Sequence, residues 1–166
     1  FETKSGTLHV ARLGSSLVMD FPSRPGEECD APDHLSAGLG RPANEVYKSR
    51  DYLVVYPDEE VVRSLDPDFS ELAKVDALGI IVTAPGNDVD FVSRFFAPRA
   101  GVDEDPVTGS AHCTLAPYWA DRLEKKDLSA RQVSRRGGEL ACRLADDRVH
   151  IAGHAALYFK GVLSVE

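Results

Sequence analysis

The chain has 166 residues with 19 basic and 27 acidic side chains, a formal net charge of −8, and is 43% hydrophobic and 28% charged. These proportions suit a soluble domain with a core of its own; they exclude a disordered tail, a collagen-like chain and a bare coiled coil. The acidic balance argues against a nucleic-acid partner bound through its phosphates, and no apolar run nears the roughly 20 residues that span a bilayer, so neither nucleic acid nor membrane is expected.

The chain begins with Phe1, and its one methionine is Met19. The opening Phe1 to Gly6 carries no apolar leader core. Thr7 to Ala11 and Ser16 to Phe21 flank the turn Leu13-Gly14-Ser15 and predict a β-hairpin. Residues 22–32 hold three prolines and a glycine and read as a linker. Asp33 is placed to cap a short helix from His34 to Leu39, with Gly40 just past its end. Glu45 to Lys48 and Tyr52 to Tyr56 are rich in β-branched and aromatic residues and predict strands. Asp58, Glu59 and Glu60 open a helix whose acids favour its first turn and face solvent. Asp66-Pro67-Asp68 ends it and starts another helical turn through Phe69 and Leu72.

Leu78 to Thr83 is a short apolar run that predicts a central strand. Ala84 to Asp88 reads as a turn and Asp90 to Phe96 as a further strand. From Gly109 to about Leu123, residues Ala111, Leu115, Tyr118, Trp119 and Leu123 recur at helical spacing, and Pro117 should kink or split that helix. Leu140, Cys142 and Leu144 alternate with Ala141 and Arg143, so the tail returns to strands. Asp146-Asp147 turns the chain into Val149 to Ile151, Ala156 to Phe159 and Gly161 to Val165. Many strands with one dominant helix predict an α+β domain, a curled mixed sheet around that helix. No GxGxxG or GxxxxGK[ST] run is present.

One stretch carries chemistry. Asp105 precedes Pro106, which holds it extended, and Thr108-Gly109-Ser110 begins the long helix. A helix start presents unpaired N–H groups that bind a carboxylate or phosphate, and Gly109 lets a ligand approach the backbone closely. A carboxylate beside an anion cradle suits proton transfer next to a substrate carboxylate: Asp105 as acid or base, the N–H groups holding an enolate-like intermediate. The alternative is that Asp105 and Thr108 merely cap the helix.

The run Glu104-Asp105-Pro106-Val107-Thr108-Gly109-Ser110-Ala111-His112, followed by Pro117-Tyr118-Trp119, resembles the signature of the phenazine-biosynthesis PhzF-like proteins. Phe1 to Gly6, Asp20-Phe21-Pro22, Pro67-Asp68-Phe69, Ser93 to Pro98 and Gly161-Val162-Leu163 match in the same order. The resemblance implies a diaminopimelate-epimerase-like fold of two similar halves, each a curled sheet around a helix, with the substrate between them. It implies a cytoplasmic, homodimeric biosynthetic isomerase that moves a proton near the carboxylate of a small molecule without a cofactor. Asp105 is then the catalytic residue, and Thr108, Gly109, Ser110 and His112 bind the substrate. The family's first half, with its catalytic Glu and Gly-His-Ala-Thr run, has no counterpart here. Residues 1–22 read as the tail of that missing half, 23–33 as a linker and 34–166 as the second half, so the chain alone is expected to be inactive. The echo Gly153-His154-Ala155-Ala156 lies in a strand context and is read as chance. A lone second half would otherwise be a carboxylate-binding or protein-interaction module.

The remaining residues have plainer readings. His150 and His154 have HxxxH spacing but sit among strands with no third ligand nearby, so no metal is expected. His112 lies just inside the helix, where a structural role competes with ligand contact. Cys29, Cys113 and Cys142 are odd in number and lack CxxC spacing, the pattern of free thiols in a reducing compartment. Cys113 reads as a small buried hydrophobe. Arg94 is placed to pair with Glu104 or Asp103 and orient the loop. Glu139 is a hairpin residue, and Arg131 with Arg135-Arg136 is too short a basic cluster for a nucleic-acid footprint. Tyr118 and Trp119 are core anchors.

Overall fold

Ile80, Val82 and Ala84 point to one face of their strand and Ile81 and Thr83 to the other, and all five are buried. A strand apolar on both faces needs cover on both, and the fold supplies it. The computed structural model describes residues 2, 3, 6–162 and 164. In chain order the strands are β1 (Glu2–Thr3), β2 (Gly6–Thr7), β3 (His9–Leu13), β4 (Ser16–Pro22) and β5 (Glu27–Glu28). After α1 (Leu35–Leu39) come β6 (Glu45–Lys48), β7 (Tyr52–Val55), α2 (Glu59–Ser64), α3 (Phe69–Leu72), β8 (Ile80–Pro85), β9 (Phe91–Ala97) and β10 (Val102–Glu104). The long helix α4 (Gly109–Arg122) leads to β11 (Asp127–Gln132), β12 (Gly138–Ala145) and β13 (Arg148–His154).

One mixed sheet runs β3-β4-β13-β12-β11-β9-β8-β7-β6-β5, with β10 folded back on β9. Two of its pairs are parallel, β7 with β8 and β11 with β9. Parallel neighbours need a crossover, and each crossover carries helices. Helices α2 and α3 cover one face, where Val62, Leu65 and Leu72 meet Val54, Ile80, Val82, Val92 and Phe96. On the other face Ala111, Leu115 and Trp119 of α4 meet Leu53, Phe91, Leu128, Leu140 and Ile151, so strands from β7 to β13 wrap the helix. Trp119 stacks on Phe91 with ring centroids 5.7 Å apart, and its indole N–H donates to Thr83 Oγ1 at 3.0 Å. This is an α+β fold with a mixed sheet and few helices. Among the described residues no helix is long and apolar enough to cross a membrane.

Most predicted elements form, and the caps explain two of them. The Asp58 carboxylate accepts from the Val61 N–H, and Asp68 accepts from the N–H groups of Ser70 and Glu71. Five expectations need correction. Asp33 does not cap α1: His34 stands there in a left-handed conformation (φ 70°) and makes no side-chain cap bond. Glu59 is not solvated; it is buried, taking bonds from Arg63 and from the Asn87 N–H at 2.9 Å. Strand β8 continues through Ala84 and Pro85, because β9 pairs with it to that point. Pro117 does not split α4, which runs unbroken across it. Ala156 to Phe159 is not a strand: no described strand pairs with it, and Leu157, Tyr158 and Phe159 are exposed. The strand expected from Gly161 to Val165 includes Leu163 and Val165, which lie outside the described residues, as do Phe1, Lys4 and Ser5 of the opening motif. Strands β1, β5, β10 and β11 are not predicted by the sequence, and β5 falls within the segment read as a linker.

Candidate active site

The signature loop reaches its position through a reversal. Strand β9 ends in a helical turn at Pro98–Ala100, Gly101 takes a left-handed conformation (φ 78°), and β10 returns along β9. Arg94, on the α2–α3 face of β9, fixes the return. Its guanidinium donates to Glu104 at 2.7 and 3.0 Å and to the carbonyls of Val62 and Leu65. The expected pairing of Arg94 is therefore with Glu104. Asp105 follows, and its N–H donates to the Phe95 carbonyl at 3.0 Å.

Gln132, at the end of β11, orders the next step. It is fully buried, accepts from the Thr108 N–H at 2.8 Å, and donates to the Asp105 carbonyl at 2.6 Å and to Thr108 Oγ1 at 3.2 Å. Thr108 in turn gives its hydroxyl proton to Asp105 Oδ2 at 2.5 Å. A directional chain thus runs from Gln132 through Thr108 to the Asp105 carboxylate. Ser134 secures the same loop by donating to the Pro106 carbonyl at 2.8 Å.

The expected side-chain cap at Thr108 does not form. Thr108 occupies the N-cap of α4 but makes no side-chain cap bond; its hydroxyl is turned away, donating to Asp105 and accepting from Gln132. Its backbone N–H donates to Gln132 and is not free for a ligand. The next N–H groups, from Gly109 and Ser110, have no intrahelical acceptor and stand at the positive end of the helix. A Cβ on Gly109 would project toward Met19 and Phe21 at 3.9 and 4.0 Å. That is the end of a groove of about 690 Å³ whose walls include Val10, Leu17, Met19, Leu140 and Ile151. A volume and apolar lining of this kind suit a small organic ligand.

Ser110 Oγ accepts from Arg50 at 3.1 Å, and Arg50 also pairs with the buried Asp51 at 2.6 Å. His112 does not line the groove: it is wholly buried beside Phe91, with Nδ1 bonded to the Thr108 carbonyl at 2.8 Å. Burial pushes its pKa from 6.5 down to about 4, so its ring is neutral. Burial pushes the Cys113 thiol up, against the nearby charges of Arg24 and Arg50. His150 and His154 share strand β13, and no group of three His, Cys, Asp or Glu among the described residues is arranged to hold a metal.

Gln132, Arg50 and Asp51 had no place in the sequence reading. Gln132 was the most accessible of them: Leu128, Ala130 and Gln132 alternate with Ser129 and Arg131, which puts a polar group on the buried face of β11.

The chain has counterparts among known proteins. Residues 1–161 match the family model PhzC-PhzF, described as phenazine biosynthesis-like protein. The chain belongs to the PhzC-PhzF family. Two relatives within it, both Pseudomonas aeruginosa proteins named as uncharacterized isomerases, are 52% identical over 163 residues and 54% identical over 162. The alignments take in 98% and 97% of this chain but only 63% and 62% of the relatives. A PhzF-family crystal structure from Enterococcus faecalis superposes with a TM-score of 0.92 at 44% identity, covering 99% of this chain and 64% of that one. The chain thus spans less than two thirds of the length of these PhzC-PhzF proteins.

Proposed function

We propose that the chain supplies one half of the active site of a PhzF-like isomerase, which moves a proton without a cofactor at a carbon near the carboxylate of a small molecule. Asp105 is the proton carrier, and the N–H groups of Gly109 and Ser110 hold the carboxylate. The observation that carries the reading is the commitment of Thr108 to Asp105. It fixes a carboxylate three residues before a helix start that has no side-chain cap, and Gly109 at that start lines the apolar groove. Isomerisation by proton transfer removes a proton from one carbon of the substrate and returns one at another, work that an acid–base pair can share. Asp105 has no second acid or base bonded to it among the described residues. In this reading that partner lies in a further half of a diaminopimelate-epimerase-like fold, to which residues 1–22 belong, with 23–33 as linker and 34–166 as the second half. The relatives' names and their extra length support it.

The test joins this chain to the coding sequence upstream of it and follows, in D2O, deuterium uptake at carbon in small carboxylates with an allylic C–H. Asp105→Asn should lower uptake by about 10²-fold or more with unchanged thermal unfolding. Unchanged uptake removes Asp105 from the reaction. The 166 residues alone should give no uptake; robust uptake by them would show that these residues move the proton without a further half. The same lack of a bonded acid–base partner at Asp105 favours a second reading, a carboxylate-binding or interaction module without turnover. Carboxylate binding without exchange in the joined protein would select it.

A further inference from the structure

Arg50 sits in the tight turn between β6 and β7, far in sequence from the signature run. Its neighbour Asp51 is 2% exposed, and among the described residues that carboxylate is hydrogen-bonded only by Arg50, at 2.6, 3.1 and 3.3 Å. A buried carboxylate with a forked partner holds the guanidinium in one orientation. The Nη2 that meets Asp51 also donates to Ser110 Oγ at 3.1 Å. A hydroxyl has one proton and two lone pairs. With a lone pair of Ser110 taken by an obligate donor, its O–H is turned away from Arg50, and no described residue accepts it. The proton is left for whatever lies before the first turn of α4.

We propose that Arg50, clamped by the buried Asp51, is a positioning residue that makes the Ser110 hydroxyl a donor to the ligand's carboxylate. This rests on the functional reading above and refines it: the cradle is two N–H groups plus one oriented O–H, matched to an acceptor-only anion and not to a neutral amide or alcohol. The clamp differs from a plain surface ion pair in having one partner removed from water and the other bridging to the helix start. It also adds a fixed positive charge where the substrate anion would sit, in a chain whose net charge is −8.

The experiment titrates the chain with benzoate, a carboxylate on an apolar ring, and with benzamide, its neutral counterpart, following the backbone amides of Gly109 and Ser110 by NMR. Benzoate should shift both amides and the Arg50 Nε–H, while benzamide leaves them in place. Arg50→Lys keeps a cation for Asp51 but loses the fork, and should weaken benzoate about 5- to 10-fold. Ser110→Ala should weaken it similarly, and adding Arg50→Lys to Ser110→Ala should cost nothing more. A loss on Arg50→Lys that persists in the Ser110→Ala background, or no loss at all, overturns the proposal while leaving the cradle intact. Absence of any benzoate shift at Gly109 and Ser110 overturns the cradle and this proposal with it. Should Arg50→Lys fail to fold, the wild-type Arg50 Nε–H signal decides: unmoved by saturating benzoate, it refutes the role.

Discussion

The backbone N–H of Arg24 donates to the carbonyl of Cys113 at 2.8 Å. Cys113 lies four residues before Pro117, the one helix position in α4 without an N–H to give. The proline thus frees an acceptor inside the helix, and the segment after β4 fills it. Pro117→Ala restores the helix's own donor and makes it compete with Arg24. Hydrogen exchange at the Arg24 amide should then quicken by about fivefold or more, while the amides at the start of α4 keep their protection.

Gln132 serves three partners at once, and two of them are backbone groups that burial leaves without water. Gln132→Leu fits the strand but strands the Thr108 N–H. The expected cost is about 2–4 kcal/mol of stability, read from urea unfolding. The Thr108 hydroxyl also loses the donor behind it, so the Asp105 side chain should gain rotamer freedom in NMR coupling constants.

His112 makes stability depend on pH. In the fold its pKa is about 4, against 6.5 for the free side chain. Between these values the unfolded chain binds the proton and the folded one does not, so stability rises with pH. The neutral ring's contribution is complete above pH 6.5 and is lost as pH falls toward about 4, a change of about 3 kcal/mol. Unfolding free energies of wild type and His112→Phe, taken from pH 7 to pH 4, should converge by that amount on acidification. Parallel curves would refute the assignment.

Arg94 and Glu104 are 11% and 19% exposed, dry enough that losing one partner leaves a costly charge. Arg94→Met should destabilise by about 3–5 kcal/mol and expose the Asp105 amide to exchange, because β10 loses its anchor. Arg94→Met with Glu104→Leu should recover part of that loss, since the stranded carboxylate is gone. A double variant no better than the single one would mean that the bonds to the Val62 and Leu65 carbonyls carry the effect.

Local chemistry was legible wherever a residue acts on its sequence neighbours. Asp58 and Asp68 announced two helix starts, the run Ile80 to Thr83 a buried strand, and Leu115 and Trp119 the packed face of α4. Asp105, Gly109 and Ser110 were marked by the signature and by helix-start physics. What stayed hidden depends on distant partners. Glu59 looks like a solvent acid until Asn87, 28 residues on, gives it an N–H. Strand β11 has only Leu128 and Ala130 as apolar residues facing α4, too weak an alternation to stand out. Thr108 looks like a side-chain cap until Gln132, 24 residues on, donates to its hydroxyl and accepts from its N–H. Leu157 to Phe159 has strand-like composition, but composition alone supplies no neighbour.

The pairing of β4 with β13 joins residues such as Asp20 and Arg148, 128 positions apart. Closing so long a loop is entropically costly before any of its contacts are made. During synthesis β4 leaves the ribosome well before β13 and waits with an open edge until that strand arrives. That edge is the segment most in need of chaperone cover in a nascent chain, and its docking is the natural candidate for the slowest refolding phase.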